Sequence, residues 1–250
     1  MLKIGRFGFG AETFHGLVEG EQVKRIENPF VSLEPSGETY SIQDLKVLAP
    51  CVPGKAVCVG LNYRDHILEM GHDFPKEPVL FLKPTTSLTG TGSFIEIPEI
   101  SQRVDYEAEL AIVIGSRCKN VLAQNVQQHI LGFTCANDVT ARDLQSKDGQ
   151  WTRSKSFDTF LPLGPYIVTG INPDRLHIFL YHNGKIKQES NTINLIFNCA
   201  ELVSYISKIM TLEPGDIILT GTPSGVGPMK KGDTVEVVIE SIGNLVNTVK

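Results

Sequence analysis

Along most of this chain the apolar residues come in short runs, each cut off by Gly, Pro, Asn or Asp before a long helix could form. Runs of about four to eight residues rich in Val, Ile, Phe and Tyr read as strands. From residue 57 onward they fall at 78–83, 109–115, 132–139, 165–170, 176–182, 216–221, 234–240 and 244–249. Asn183-Gly184, between LHIFLYH and KIKQ, predicts a two-residue hairpin, because both residues tolerate the positive φ that such a turn needs. Nearer the N-terminus, HGLVEGEQVKRI sets an E-G turn between two strand-like runs, so residues 1–45 read as a small β unit. Pro50, Pro53 and Gly54 then punctuate VLAPCVPGKAV. That break predicts a small N-terminal β domain over 1–50 and a larger domain over 51–250.

Helical patterns are few. Residues 123–131 predict a short helix closed by Gly132, and about eight residues before Gly71 predict another. A third is expected over 199–210, where Asn198 fits the N-cap and Glu201 position N3 of a capping box. Strands outnumber helices and there is no regular βαβ alternation. The expected class is α+β and β-rich, not a doubly wound sheet.

Composition narrows the partners. At 250 residues and 41% hydrophobic, the chain can bury a substantial core without disulfides or metal staples. A net charge of −5, with no basic stretch interleaved with aromatics, argues against nucleic acid. Five cysteines, with no C-x-x-C spacing, argue against a disulfide framework or a zinc ribbon. No apolar run reaches the roughly 18 residues of a membrane span, and MLKIGRFGFGAE has no apolar signal core. A cytoplasmic protein with no membrane partner is expected.

The segment 104–115, VDYEAELAIVIG, departs from ordinary strand chemistry. Asp105, Glu107 and Glu109 alternate, so a single strand would set three carboxylates on one face before turning wholly apolar. Buried carboxylates are paired with cations or bind a metal. A strand end salt-bridged to Arg or Lys is the commoner arrangement for an isolated E-x-E. The alternative is a site for a hard divalent ion, since no Cys or His adjoins these oxygens. Asp138, in ANDVTARDLQ, could join such a site or simply cap the helix that follows. In GLNYRDHILEMG, His66 and Glu69 are spaced i, i+3 and would share a helix face, either as a general acid–base pair or as an ordinary surface pair. Lys155 sits among polar residues in WTRSKSFDTFLPLGP, where a solvated lysine is the usual outcome. ILTGTPSGVGP can present backbone N–H groups to an anion or serve as a plain turn; it lacks the ending of a phosphate-binding P-loop.

In this order, GLNYRDHILEMG, DYEAELAIVIG, CANDVTARDLQ, SKSFDTFLPLGP and LTGTPSGVG resemble the fumarylacetoacetate hydrolase family over about residues 55–250. The resemblance is nearest to its acylpyruvate hydrolase and oxaloacetate decarboxylase-like branch. It implies a mixed β-roll with short helices, often dimeric, hence a homodimer. It also implies Mg²⁺ or Mn²⁺ held by Glu107, Glu109 and Asp138, with Asp105 a neighbour and not a ligand. His66 and Glu69 match a water-activating pair on a mobile lid, and Lys155 a lysine that helps hold substrate or water. Arg142, Gln145 and Thr222 match substrate-contacting positions.

The implied reaction is metal-dependent hydrolysis of a C–C bond in an acylpyruvate or related β-diketo acid, through a stabilised enolate. Oxaloacetate decarboxylation and 2-hydroxyhepta-2,4-diene-1,7-dioate isomerisation are alternatives on the same small keto-acid site. A metal-dependent keto-acid binding protein is the non-enzymatic one. Specificity is expected from HDFPKEP after Gly71, from the loop at Gly149-Gln150-Trp151 and from a partner subunit.

Overall fold

The computed structural model describes residues 1–71 and 73–250. These form a large mixed sheet of 12 strands with two smaller sheets of three and five. The large sheet runs, in spatial order, through Pro35–Ser41, Gln22–Ile26, Glu12–Glu19, Lys3–Phe9, Leu161–Val168, Ile130–Asn137, Ala108–Ile114, Ile217–Leu219, Ala56–Gly60 and Val79–Lys83. The first four are the N-terminal strands. Lys3 and Ile4 pair with Val168 and Ile167, so the sheet is continuous from residues 3–41 into the rest of the chain. The expected hairpin joins His177–His182 to Lys185–Asn191 in the five-stranded sheet, with Asn183 and Gly184 both at positive φ.

Burial explains the unbroken apolar run 110–114. Leu110, Ile112 and Ile114 face one core, shared with Ile178, Val235, Val237 and Leu245 of the five-stranded sheet. Ala111 and Val113 face a second core with Ile4, Ala56, Leu161 and Ile217. A strand covered on both faces has no reason to alternate with polar residues.

Helix α1 spans Arg64–Met70 and ends on Gly71 in the left-handed region. Helix α2 spans Arg142–Asp148, α3 Thr152–Lys155 and α4 Cys199–Ile209. The capping box of α4 forms as expected, Asn198 and Glu201 each accepting the other's backbone N–H at 3.0 and 2.8 Å. Among the described residues no helix is long and apolar enough to cross a membrane.

Three expectations need correction. Residues 104–115 are not one strand: Val104–Tyr106 belongs to the three-stranded sheet and Ala108–Ile114 to the large one, with Glu107 at the break. Pairing with different partners on either side of Glu107 bends the chain there. Residues 123–129 form 3-10 turns, and Gly132 lies inside the strand Ile130–Asn137 and closes no helix. Val126 is the one buried residue of that segment, too little to hold an amphipathic α-helix. The strand expected at 165–170 begins earlier, at Leu161, because Leu161 and Leu163 are buried in the second core.

Candidate active site

Register assembles the acidic cluster. Ala108 lies opposite Asn137 and Glu109 opposite Ala136 in the antiparallel pair. One step further, the Asp138 N–H donates to the Glu107 carbonyl at 2.9 Å, and the Glu107 N–H donates to Asn137 Oδ1 at 2.9 Å. The ends of two neighbouring strands thus bring Glu107, Glu109 and Asp138 together, one oxygen from each within 4.8 Å of the others, all buried. Asp138 caps no helix, since α2 starts at Arg142 with Ala141 in the N-cap position.

Cations surround two of the three acids. Lys155 Nζ donates to Glu107 Oε2 at 3.0 Å and to Asp138 Oδ2 at 2.5 Å. Lys83, at the end of the apolar run VLFLK, reaches the other Asp138 oxygen at 2.5 Å and the Val139 carbonyl at 3.0 Å. Arg142 ion-pairs with Glu107 and donates to Asp105 at 2.9 Å and to Gln145 at 2.5 Å. Asp105 is also bound by Arg103 at 2.9 and 3.2 Å. It therefore braces Arg142 from behind and stands outside the ligand cluster. Lys83 was not anticipated from the sequence. Its signal was a lysine closing an apolar strand, where a solvated side chain is the usual expectation.

Glu109 differs from its neighbours. Among the described residues it has no salt-bridge partner; Gly221 N–H donates to its Oε2 at 2.7 Å. Burial, then Asp138 and Glu107, push its pKa well above the ordinary carboxylate range. Burial also opposes ionisation of Glu107, but Lys155 and Arg142 more than offset it and lower its pKa to about 2. Burial disfavours the Lys155 ammonium, yet Asp138 and Glu107 hold its pKa above the usual lysine value. For Lys83 burial wins, and its pKa is lowered. Gly221 is obligatory beside Glu109: its φ is +102° and a Cβ would stand 2.9 Å from Asn62 Cβ.

A cavity of about 330 Å³ opens over the cluster. Its polar wall includes the three acids, Arg142, Gln145, Lys155 and Thr222. Val59, Leu61, Phe81 and Trp151 supply an apolar wall. Trp151 packs edge-on to Phe81 at 5.2 Å and fills the space that a side chain on Gly60 would need, a Cβ there lying 2.6 Å from the indole. Lys155 Nζ lies 4.9 Å from the Phe81 ring centroid. His66 also lines the cavity, with Nδ1 buried, lacking a hydrogen bond, and 3.5 Å from Glu69 Oε2. Glu69 is half-exposed, off the cavity wall, and accepts the Gly225 N–H at 3.2 Å. All nine candidate residues therefore lie at or beside one cavity. Of the segment expected to shape specificity after Gly71, His72 lies outside the described residues.

The donor set suits a divalent cation. Three buried carboxylates converge without a His or Cys, which favours a hard ion. Glu109, buried without a positive partner, is the group whose ionised form such an ion would stabilise.

Comparison with known proteins agrees with the fold. The family profile described as "Fumarylacetoacetate (FAA) hydrolase C-terminal" matches residues 55–250, and "Rv2993c-like, N-terminal" matches residues 2–50. An uncharacterized protein of Archaeoglobus fulgidus is 58% identical over 98% of this chain and 95% of its own. "Oxaloacetate tautomerase FAHD2A, mitochondrial" of Bos taurus is 46% identical over 82% of this chain and 70% of its own. Among solved structures, 2-hydroxyhepta-2,4-diene-1,7-dioate isomerase from Mycobacterium marinum superposes with a TM-score of 0.93 at 42% identity, covering 100% of this chain and 98% of that one.

Proposed function

The chain belongs to the fumarylacetoacetate hydrolase family, and on that footing we propose that it is a divalent-metal-dependent enzyme that moves protons on a small α-keto acid through an enolate. Oxaloacetate-type keto–enol tautomerisation or dienoate isomerisation is the preferred reaction class. The observation that carries the reading is Glu109, a buried carboxylate without a cation partner, facing a cavity that also holds His66, Lys155 and Thr222. The named tautomerase and isomerase relatives support it.

Glu107, Glu109 and Asp138 would hold Mg²⁺ or Mn²⁺. Such an ion supplies Lewis-acid stabilisation of negative charge on the keto oxygen. Thr222, Arg142 and Gln145 orient the carboxylate end of the substrate. Lys155 places positive charge beside the oxygen on which charge develops. His66, with a ring nitrogen lacking a hydrogen bond, carries the proton to or from carbon, and Glu69 at 3.5 Å orients the ring. Val59, Leu61, Phe81 and Trp151 limit water in the cavity. The protein is taken to act as a cytoplasmic homodimer.

Acylpyruvate hydrolysis is the second reading, favoured by the His66–Glu69 pair, which could activate a water. A panel of oxaloacetate enol, a hydroxymuconate-type dienoate and an acylpyruvate, run with and without EDTA, separates the two. Enol conversion lost on chelation and regained with Mg²⁺ is the expected result; activity indifferent to chelation would overturn the reading. His66→Ala and Glu69→Ala should lower turnover by about 10²–10⁴-fold for His66 and less for Glu69. Metal affinity should stay within twofold of wild type in both, roughly the scatter of a titration; a parallel loss of metal binding would refute the assigned roles.

Metal binding should also release a proton. The raised pKa of Glu109 means that the metal-free site retains a proton that an ion must displace. Affinity should therefore weaken as pH falls below that raised pKa. Titration calorimetry in two buffers of different ionisation enthalpy measures the release directly, and identical heats in both would contradict it.

A further inference from the structure

Gln188 is fully buried in the strand Lys185–Asn191, on the five-stranded sheet, yet its amide reaches two parts of the site. Its Oε1 accepts the Ala108 N–H at 2.9 Å, between Glu107 and Glu109. Its Nε2 donates to the Pro223 carbonyl at 2.8 Å and to Thr222 Oγ1 at 2.9 Å. Backbone chemistry fixes this orientation. A flipped amide would set donor against donor at Ala108 and acceptor against acceptor at Pro223.

The consequence falls on Thr222. Its oxygen is engaged as an acceptor, so its single proton must be given elsewhere. Among the described residues no hydrogen bond takes that proton, and Thr222 lies on the cavity wall. We propose that Gln188 is a positioning residue that fixes the Thr222 hydroxyl as a donor toward an anionic oxygen of the bound ligand, the carboxylate of the keto acid. The inference rests on the keto-acid reading above. It adds a reason for burying an amide with three satisfied bonds between two sheets: one side chain sets both the ligand-strand end and the polarity of the facing hydroxyl.

Pyruvate binding to the Mg²⁺-loaded protein can be followed through Trp151, the chain's one tryptophan, which lines the cavity. Thr222→Ser should bind like wild type. Thr222→Val, of nearly the same shape, should bind about tenfold or more weakly, as expected for losing a hydrogen bond to a charged group. Gln188→Met should weaken binding several-fold, and in the Thr222→Val background its effect should be clearly smaller, because the part that acts through Thr222 is already gone and only the bonds to Ala108 and Pro223 remain to be lost. Wild-type affinity in Thr222→Val, or losses that multiply in the double variant, would overturn the proposal. If Gln188→Met does not fold, the Thr222→Val and Thr222→Ser pair decides alone. Failure of the wild-type protein to bind either pyruvate or oxaloacetate would overturn the functional reading and this inference with it; binding by wild type with unchanged variants overturns only the inference.

Discussion

Glu109→Gln should lose divalent-metal binding and at least about 10³-fold in turnover, while its metal-free form becomes more stable than wild type at neutral pH. The loss follows from removing one of three converging carboxylates that would anchor a Lewis acid contributing several kcal/mol to the transition state, where each ~1.4 kcal/mol is a factor of ten. The stabilisation follows from the same residue's isolation. Glutamine keeps the shape and can still accept the Gly221 N–H. It removes a carboxylate that burial and two acidic neighbours hold in its protonated form.

The sign is fixed by linkage. A carboxylate whose folded pKa exceeds its unfolded value leaves the folded state with more bound protons between the two. Stability therefore falls as pH rises through that window, from the unfolded value of about 4.3 up to the raised folded one. Glu109→Gln should flatten that fall and be the more stable protein above it. Urea unfolding with EDTA from pH 5 to 8 tests this, beside a metal titration. A variant that still binds metal tightly, or that is less stable than wild type throughout, would refute the role given to Glu109.

Lys155→Met should have the opposite effect on the metal-free protein. Lys155 bridges Glu107 and Asp138 with both partners buried, and removing one member of a buried pair typically costs about 3–5 kcal/mol. Turnover should fall by about 10²-fold or more as the positive charge beside the developing anion disappears. Added Mg²⁺ should recover part of the lost stability, because an ion can take over the neutralisation of the acids. A melting temperature equal to wild type in EDTA would mean that Lys155 does not hold those acids, and the electrostatic account of the cluster would fall. Lys83→Met should be milder, since Asp138 keeps Lys155.

Much of this architecture was legible because it is local. The Asn183-Gly184 hairpin, the Asn198–Glu201 capping box and the helix ending at Gly71 are each written in a few adjacent residues. The acidic segment shows its carboxylates in the sequence but not its geometry. Alternation placed Asp105, Glu107 and Glu109 on one face, but pairing with strands far along the chain splits the segment at Glu107. Lys83 and Gln188 were invisible for a related reason. Each is a polar residue in an ordinary strand whose partner is about 55 and 34 to 80 positions away, at Asp138, Thr222 and Ala108. Nothing in local spacing signals such a contact; only sheet register does. The 3-10 segment 123–129 failed in the other direction, since its polar pattern allowed a helix that too little burial supports.

The pairing of Lys3 and Ile4 with Val168 and Ile167 bears on how this chain can be cut and how it is made. Residues 55–250 expressed alone would carry Leu161–Val168 with its Lys3–Phe9 partner missing, leaving the Ile167–Val168 end, which pairs with Ile4 and Lys3, as an unpaired apolar edge. Such an edge is a template for pairing with another chain, so the shortened protein should be prone to aggregation before any question of catalysis arises. During synthesis the same contact joins the first strand made to one made some 160 residues later, so the large sheet can close only after most of the chain has emerged.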